Sequence, residues 1–207
     1  MTDMPDPRPT TTWRRAAHRT LLLLVLALLT ACATGGQLQT AGRTEVLGLT
    51  VDTSLDWARY AGSRQETWTI DGTALNQLRV ITGTKPREHV LHRGRERRNA
   101  PQGPWYTPNL RPDEQHELLL AALREEGWAE VESRDLRPAR FGTVDGLRFE
   151  FTMASQRGLR YAGTAAMFER DGKLTTIYWQ APVEHYHARD AAAVAALIDS
   201  IRPVGTP

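Results

Sequence analysis

The sequence predicts an α+β fold, an antiparallel β-sheet covered by helices. Three observations carry this. Leu147, Phe149, Phe151 and Met153 alternate with Arg148, Glu150 and Thr152, the two-residue period of a strand with one buried face. Asp71-Gly72 and Asp171-Gly172 each lie between two strand-like runs, where an Asp-Gly pair marks a hairpin turn. Two other segments carry the helical period: Leu119, Leu120 and Leu123 in one, and Ala191, Val194, Leu197, Ile198 and Ile201 in the other. Strands joined by tight turns pair antiparallel, and the apolar stripe of each helix must then be buried on the sheet.

The elements follow in order. Thr44–Val51 is rich in β-formers and is expected as the first strand. Glu66–Ile70 and Leu75–Gly83 flank the Asp71-Gly72 turn as two more. From Lys85 to Pro112 the pattern lapses into a long loop rich in proline and arginine, a length that is usually functional or disordered. A helix is expected over Asp113–Glu126. Pro112 suits its first turn, Asp113 and Glu114 suit the positive end of its dipole, and Gly127 suits its stop. Four strands follow, within Ala129–Phe141, Gly146–Ala154, Gly158–Arg170 and Lys173–Ala181, and Leu147–Met153 is expected at the centre of the sheet. A closing helix over roughly Val183–Ile201 completes a single domain spanning residues 44–207.

This layout, the W-x-x-D-G of Trp68 to Gly72 and the ending Tyr186 to Pro203 resemble the Mog1/PsbP-like α/β/α sandwich along roughly residues 44–203. Lipid-anchored bacterial relatives of that fold look similar. The resemblance implies the fold and leaves activity open, because that fold serves as a docking module in unrelated settings.

The beginning of the chain carries a separate message. Leu21 to Ala33 is an apolar run of 13 residues preceded by Arg8, Arg14, Arg15 and Arg19. A membrane-spanning helix needs about 20 residues. A basic region followed by a short apolar one is instead the pattern of a secretory signal. Leu29-Thr30-Ala31-Cys32 resembles the bacterial lipobox. That resemblance implies that residues 1–31 are a signal peptide cut off before Cys32, that the sulfur of Cys32 carries a diacylglyceryl group, and that the new amino terminus is acylated. Ala33, in place of the Asp that often retains such proteins at the inner membrane, implies the periplasmic face of the outer membrane. Residues 32–43 are then the lipidated cysteine and a flexible tether of about 18 Å.

Of 26 basic and 24 acidic residues, four arginines and two aspartates precede Cys32, which leaves 22 of each. This balance gives no reason to expect a nucleic-acid partner. With Cys32 consumed by lipid, no thiol remains for disulfide, metal or nucleophile chemistry. His89 and His92, or His185 and His187, are the remaining candidates for metal ligation, but the second pair diverges on a helix. His116-Glu117 begins an HExxH that fails because Leu120 stands at the second histidine. No serine lies in G-x-S-x-G. No catalytic residue, metal site or cofactor is therefore expected.

Lys85 to Arg98 holds six basic residues against Glu88 and Glu96, followed by Trp105 and Tyr106. Arg93, Arg95, Arg97 and Arg98 form a candidate cationic patch for an anionic partner, either lipid headgroups or an acidic protein face. The expected function is a membrane-anchored periplasmic lipoprotein acting as a non-catalytic binding or assembly module. The alternative is a carrier of a small ligand or metal in a cleft near the long loop.

Overall fold

In the hairpin that turns at Asp171-Gly172, both turn residues have positive φ, 53° and 66°, as a two-residue turn between twisted strands requires. The computed structural model describes residues 36–96 and 102–205. The elements run β1 (Gln37–Gln39), β2 (Gly42–Val46), β3 (Leu49–Thr53), β4 (Trp57–Tyr60), β5 (Gln65–Thr69), β6 (Gln77–Thr84), α1 (Pro112–Glu125), β7 (Ala129–Phe141), β8 (Val144–Ala154), β9 (Arg160–Arg170), β10 (Lys173–Pro182), a π-helical turn (Val183–His187), α2 (Ala188–Ser200) and β11 (Arg202–Pro203). An eight-stranded antiparallel sheet has the order β1-β4-β5-β6-β10-β9-β8-β7, and a three-stranded sheet has the order β11-β3-β2.

Each face of the large sheet has its own core. On one face Leu119, Leu120 and Leu123 of α1 pack with Leu147, Phe149, Phe151, Met153, Ala165 and Met167. On the other, Val194, Leu197, Ile198 and Ile201 join the small sheet's Val46, Leu49 and Val51 and the indoles of Trp57, Trp68 and Trp179. Polar groups fix α2 at both ends. Asn76, fully buried, donates to Asp190 at 2.6 Å and accepts from the Trp179 indole at 3.2 Å. Arg148 binds Asp199 near the other end of α2. Gly163 faces Phe151 across the β8–β9 ladder. A Cβ there would lie 2.5 Å from the Phe151 ring and 2.1 Å from the Trp179 carbonyl oxygen, so the aromatic ring occupies the space a side chain would need.

The α+β class, both helices and the four strands after α1 agree with the sequence pattern. Four expectations change. Thr44–Val51 is not one strand: Leu47 and Gly48, both at positive φ, turn the chain so that β2 pairs back on β3. The expected tether is shorter, because Gln37–Gln39 pairs with β4 and Gly42–Val46 with β3, which makes Gly36 onward part of the fold. β8 is the second strand from the edge rather than a central one. It is buried because α1 covers its inner face. The closing helix begins as a π-turn at Val183–His187 before becoming α-helical.

Phe149 is 0% exposed and packs edge-to-face against His116. Phe149→Ala is therefore expected to cost about 3–5 kcal/mol in denaturant unfolding. A loss below about 1 kcal/mol would show that the ring is not core.

Candidate binding surface

The long loop is a built structure. Its residues Arg87 and Glu88 pair with Tyr106 through backbone hydrogen bonds, and the Glu96 N–H donates to the Arg87 carbonyl. Single bridges join Glu88 to Arg95 and His89 to Trp105. Below them lies a set of fasteners. Arg64, in the β4–β5 connection, binds the Glu88 carboxylate and the Gly83 carbonyl. Its hydrogen bond, reinforced by the Lys85 N–H, holds Glu88 down at about 2. Arg64 also meets His92 Nε2 at 3.2 Å, and Thr84 meets the same nitrogen at 2.9 Å. A guanidinium only donates, so this nitrogen must accept and His92 is neutral. Burial first, and then the Arg64 charge, lower its pKa to about 4.

His89 is fully buried. The Leu91 N–H donates to its Nδ1 at 3.0 Å, which leaves Nε2 to donate toward Glu125 at 3.2 Å. Arg79 of β6 and Arg93 of the loop converge on one carboxylate, Glu126, each at 3.1 Å, and Arg79 also bonds the Tyr178 hydroxyl. The phenol of Tyr178 is pushed up, mainly by burial. Among the other described histidines, His116 binds Ser133, and His187 stacks on Trp179 with ring centroids 5.2 Å apart. Among the described residues no group of three or more His, Cys, Asp or Glu side chains is placed to hold a metal ion.

The sequence-predicted site residues therefore divide. Arg93 is half exposed, at 51%, and is tied to Glu126. Arg95 is exposed and makes no side-chain ion pair among the described residues. Arg97, Arg98 and Cys32 lie outside the described residues. Of the loop's other cations, Arg87 pairs with Glu96 at 2.8 Å and Lys85 is exposed. Sequence reasoning missed Arg64, Arg79 and Glu126, whose partners lie far along the chain and leave no local spacing to detect.

The fasteners make the domain acid-sensitive with a defined sign. His92 titrates lower folded than unfolded, so the unfolded chain takes up its proton first and stability falls as pH drops from about 6.5 to about 4. The contribution of Glu88 is present above about 4.5 and is lost toward about 2. Thermal midpoints measured against pH are expected to decline from about pH 6.5. His92→Gln, which keeps an acceptor for Arg64 but cannot titrate, is expected to flatten the upper part of that decline and leave the lower part. An unchanged profile above pH 4.5 would remove His92 from the account.

The sequence matches no protein-family profile and no curated protein. Similar solved structures do exist. The solution structure of cyanobacterial PsbP, CyanoP, from Synechocystis has a TM-score of 0.51 at 10% identity, covering 82% of this chain and 93% of that one. A single-substitution variant of the protein Mog1 has a TM-score of 0.50 at 10% identity, covering 81% and 98%. A crystal structure from Bacteroides thetaiotaomicron has a TM-score of 0.43 at 10% identity and covers 80% of this chain but 49% of that one, so this chain spans about half its length. At such identity the likeness is one of architecture: the chain has the Mog1/PsbP-like α+β fold.

Proposed function

We propose that this protein is a lipoprotein held by acyl chains on Cys32 at the periplasmic face of the outer membrane, and that its domain is a non-catalytic binding module for an anionic surface. The observation that carries the binding reading is the construction of the basic loop. Its carboxylates Glu88 and Glu96 are each held by an arginine, while Lys85 and Arg95 are exposed and have no ion-pair partner among the described residues. A loop whose anions are each paired with an arginine and whose remaining cations are exposed suits phosphate or carboxylate groups. The anchoring reading rests on the lipobox-like Leu29–Cys32 behind a short apolar run. One acyl chain gives marginal binding and stable attachment takes at least two signals, so three chains on one residue hold the protein to the bilayer.

Two measurements test the two halves. The mass of the protein from cell membranes is expected to correspond to a chain beginning at Cys32 with diacylglyceryl and acyl groups, and Cys32→Ser is expected to accumulate as unlipidated precursor. A mature chain beginning elsewhere without lipid would overturn the anchor. For the module, binding to anionic vesicles or to a captured acidic partner is expected to weaken with salt. It should also fall by roughly 1 kcal/mol for each charge removed when Arg93, Arg95, Arg97 and Arg98 become glutamine. Equal binding by the parent and the quadruple variant at low salt would leave the loop without that role.

A further inference from the structure

The strand registers bring several distant segments to one end of the large sheet. Gln37 pairs with Arg59, Tyr60 with Thr67, Gln65 with Ile81, Thr84 with Leu174, and Lys173 with Arg170. The start of the described fold, the β4–β5 connection, the departure of the basic loop after β6 and the β9–β10 hairpin are therefore neighbours. Gly36 lies so close to Tyr60 that a Cβ would come within 3.1 Å of its ring.

This end is cationic. Lys85, Arg95 and Lys173 are exposed and have no ion-pair partner among the described residues. Of the nearby carboxylates, Glu88, Glu96 and Asp171 each face an arginine, and exposed Glu45 before the β2–β3 turn has no ion-pair partner among the described residues. At the opposite end the exposed balance reverses, with Glu130, Glu132 and Glu184 against Arg157 and Arg160. The cationic end also holds a cavity of about 220 Å³ between the β2–β3 turn, the end of β6 and the β9–β10 hairpin. Lys173, Arg170, Thr82 and Thr175 line it. Thr175 is only 7% exposed, and its hydroxyl makes no hydrogen bond among the described residues. That hydroxyl opens onto the cavity rather than being sealed from solvent, so it can donate to a ligand acceptor beside the Lys173 ammonium.

At the same end of the sheet, on the opposite face from Lys173 and Thr175, Leu38 is 73% exposed and Tyr60 43%. Leu38 pairs with Ala58, which places it on the same sheet face as Tyr60. An aliphatic side chain and a tyrosine next to cations match the chemistry of a bilayer interface.

We infer that this end of the sheet seats on the anionic headgroups of the bilayer that holds the protein, with Lys85, Arg95 and Lys173 over the phosphates, Thr175 and Lys173 taking one phosphate into the cavity, and Leu38 and Tyr60 in the interface. This deepens the anchoring reading and rests on it. Cys32 is four residues before Gly36, a span of at most about 14 Å at full extension. The cationic end is thus the part of the domain that the anchor delivers to the surface, within a small multiple of the roughly 8 Å Debye length.

The experiment uses the lipidated protein in phosphatidylglycerol vesicles. Its only native cysteine is the lipidated one, so a second cysteine takes a fluorescent label at a single position. Labels at Leu38→Cys and Tyr60→Cys are expected to shift blue and be quenched by lipids carrying shallow spin labels. A label at Val183→Cys, exposed at the opposite end, is expected to do neither. Replacing Lys85, Arg95 and Lys173 together by glutamine is expected to abolish the difference. Equal quenching at positions 60 and 183 would overturn the proposal. The mass of the same protein reports separately on the anchor. If it carries no lipid, flotation with the same vesicles decides the surface alone. A loss of binding of roughly a hundredfold in the triple variant sustains the proposal, and no binding by the parent overturns it.

Discussion

Burial of β9 and β10 on both faces is the constraint on which the rest of the structure depends. From Tyr161 to Phe168 and from Leu174 to Pro182 every residue is buried. A strand pair of this kind cannot exist as half of an exposed sheet, because each face would leave a row of apolar groups in water. One layer must come from α1 and its loop, the other from α2 and the small sheet. The small residues of β9, Gly163, Ala165 and Ala166, let these layers approach closely, and the large rings of Phe151, Phe168 and Trp179 fill the space they leave.

The covering layers are joined to the sheet by charge as well as by packing. Arg79 with Glu126, Arg148 with Asp199, and Arg64 with Glu88 each link a sheet or sheet-turn residue to a helix or loop above it. Such pairs add little net stability once desolvation is counted, but removing one partner leaves a charge stranded in a poorly solvated place. They therefore act on geometry. Arg64, His92 and Glu126 restrain the loop over Lys85 to Glu96, and a loop so held presents its cations with less ordering entropy to lose on contact.

A charge asymmetry along the strands gives the domain a direction. The described fold begins at its cationic end, so the anchor proposed at Cys32 would act on the same side of the molecule as Lys85, Arg95 and Lys173. Neither the edge strand β7, broken by bulges and carrying Pro138 and several arginines, nor the even balance of basic and acidic residues from Cys32 onward offers a comparable direction.

Local features were legible in the sequence. The two-residue period of Leu147–Met153, the Asp171-Gly172 turn, the capped helix after Pro112 and the aliphatic stripe of Ala191–Ile201 each depend on neighbours within a few residues, and each became the element its pattern described. The lipobox-like run before Cys32 is equally local. β4 and β11 were not legible: four and two residues are too short to show a period, and they are strands only because β5 and β3 pair with them. Nor could the sequence say that Arg93 would be drawn to Glu126, that β8 would lie next to the edge, or that Gly36, Lys85 and Lys173 would share one end of the sheet. Those facts follow from strand order and register, which are set by how two buried faces are filled at once, and no window along the chain contains that information.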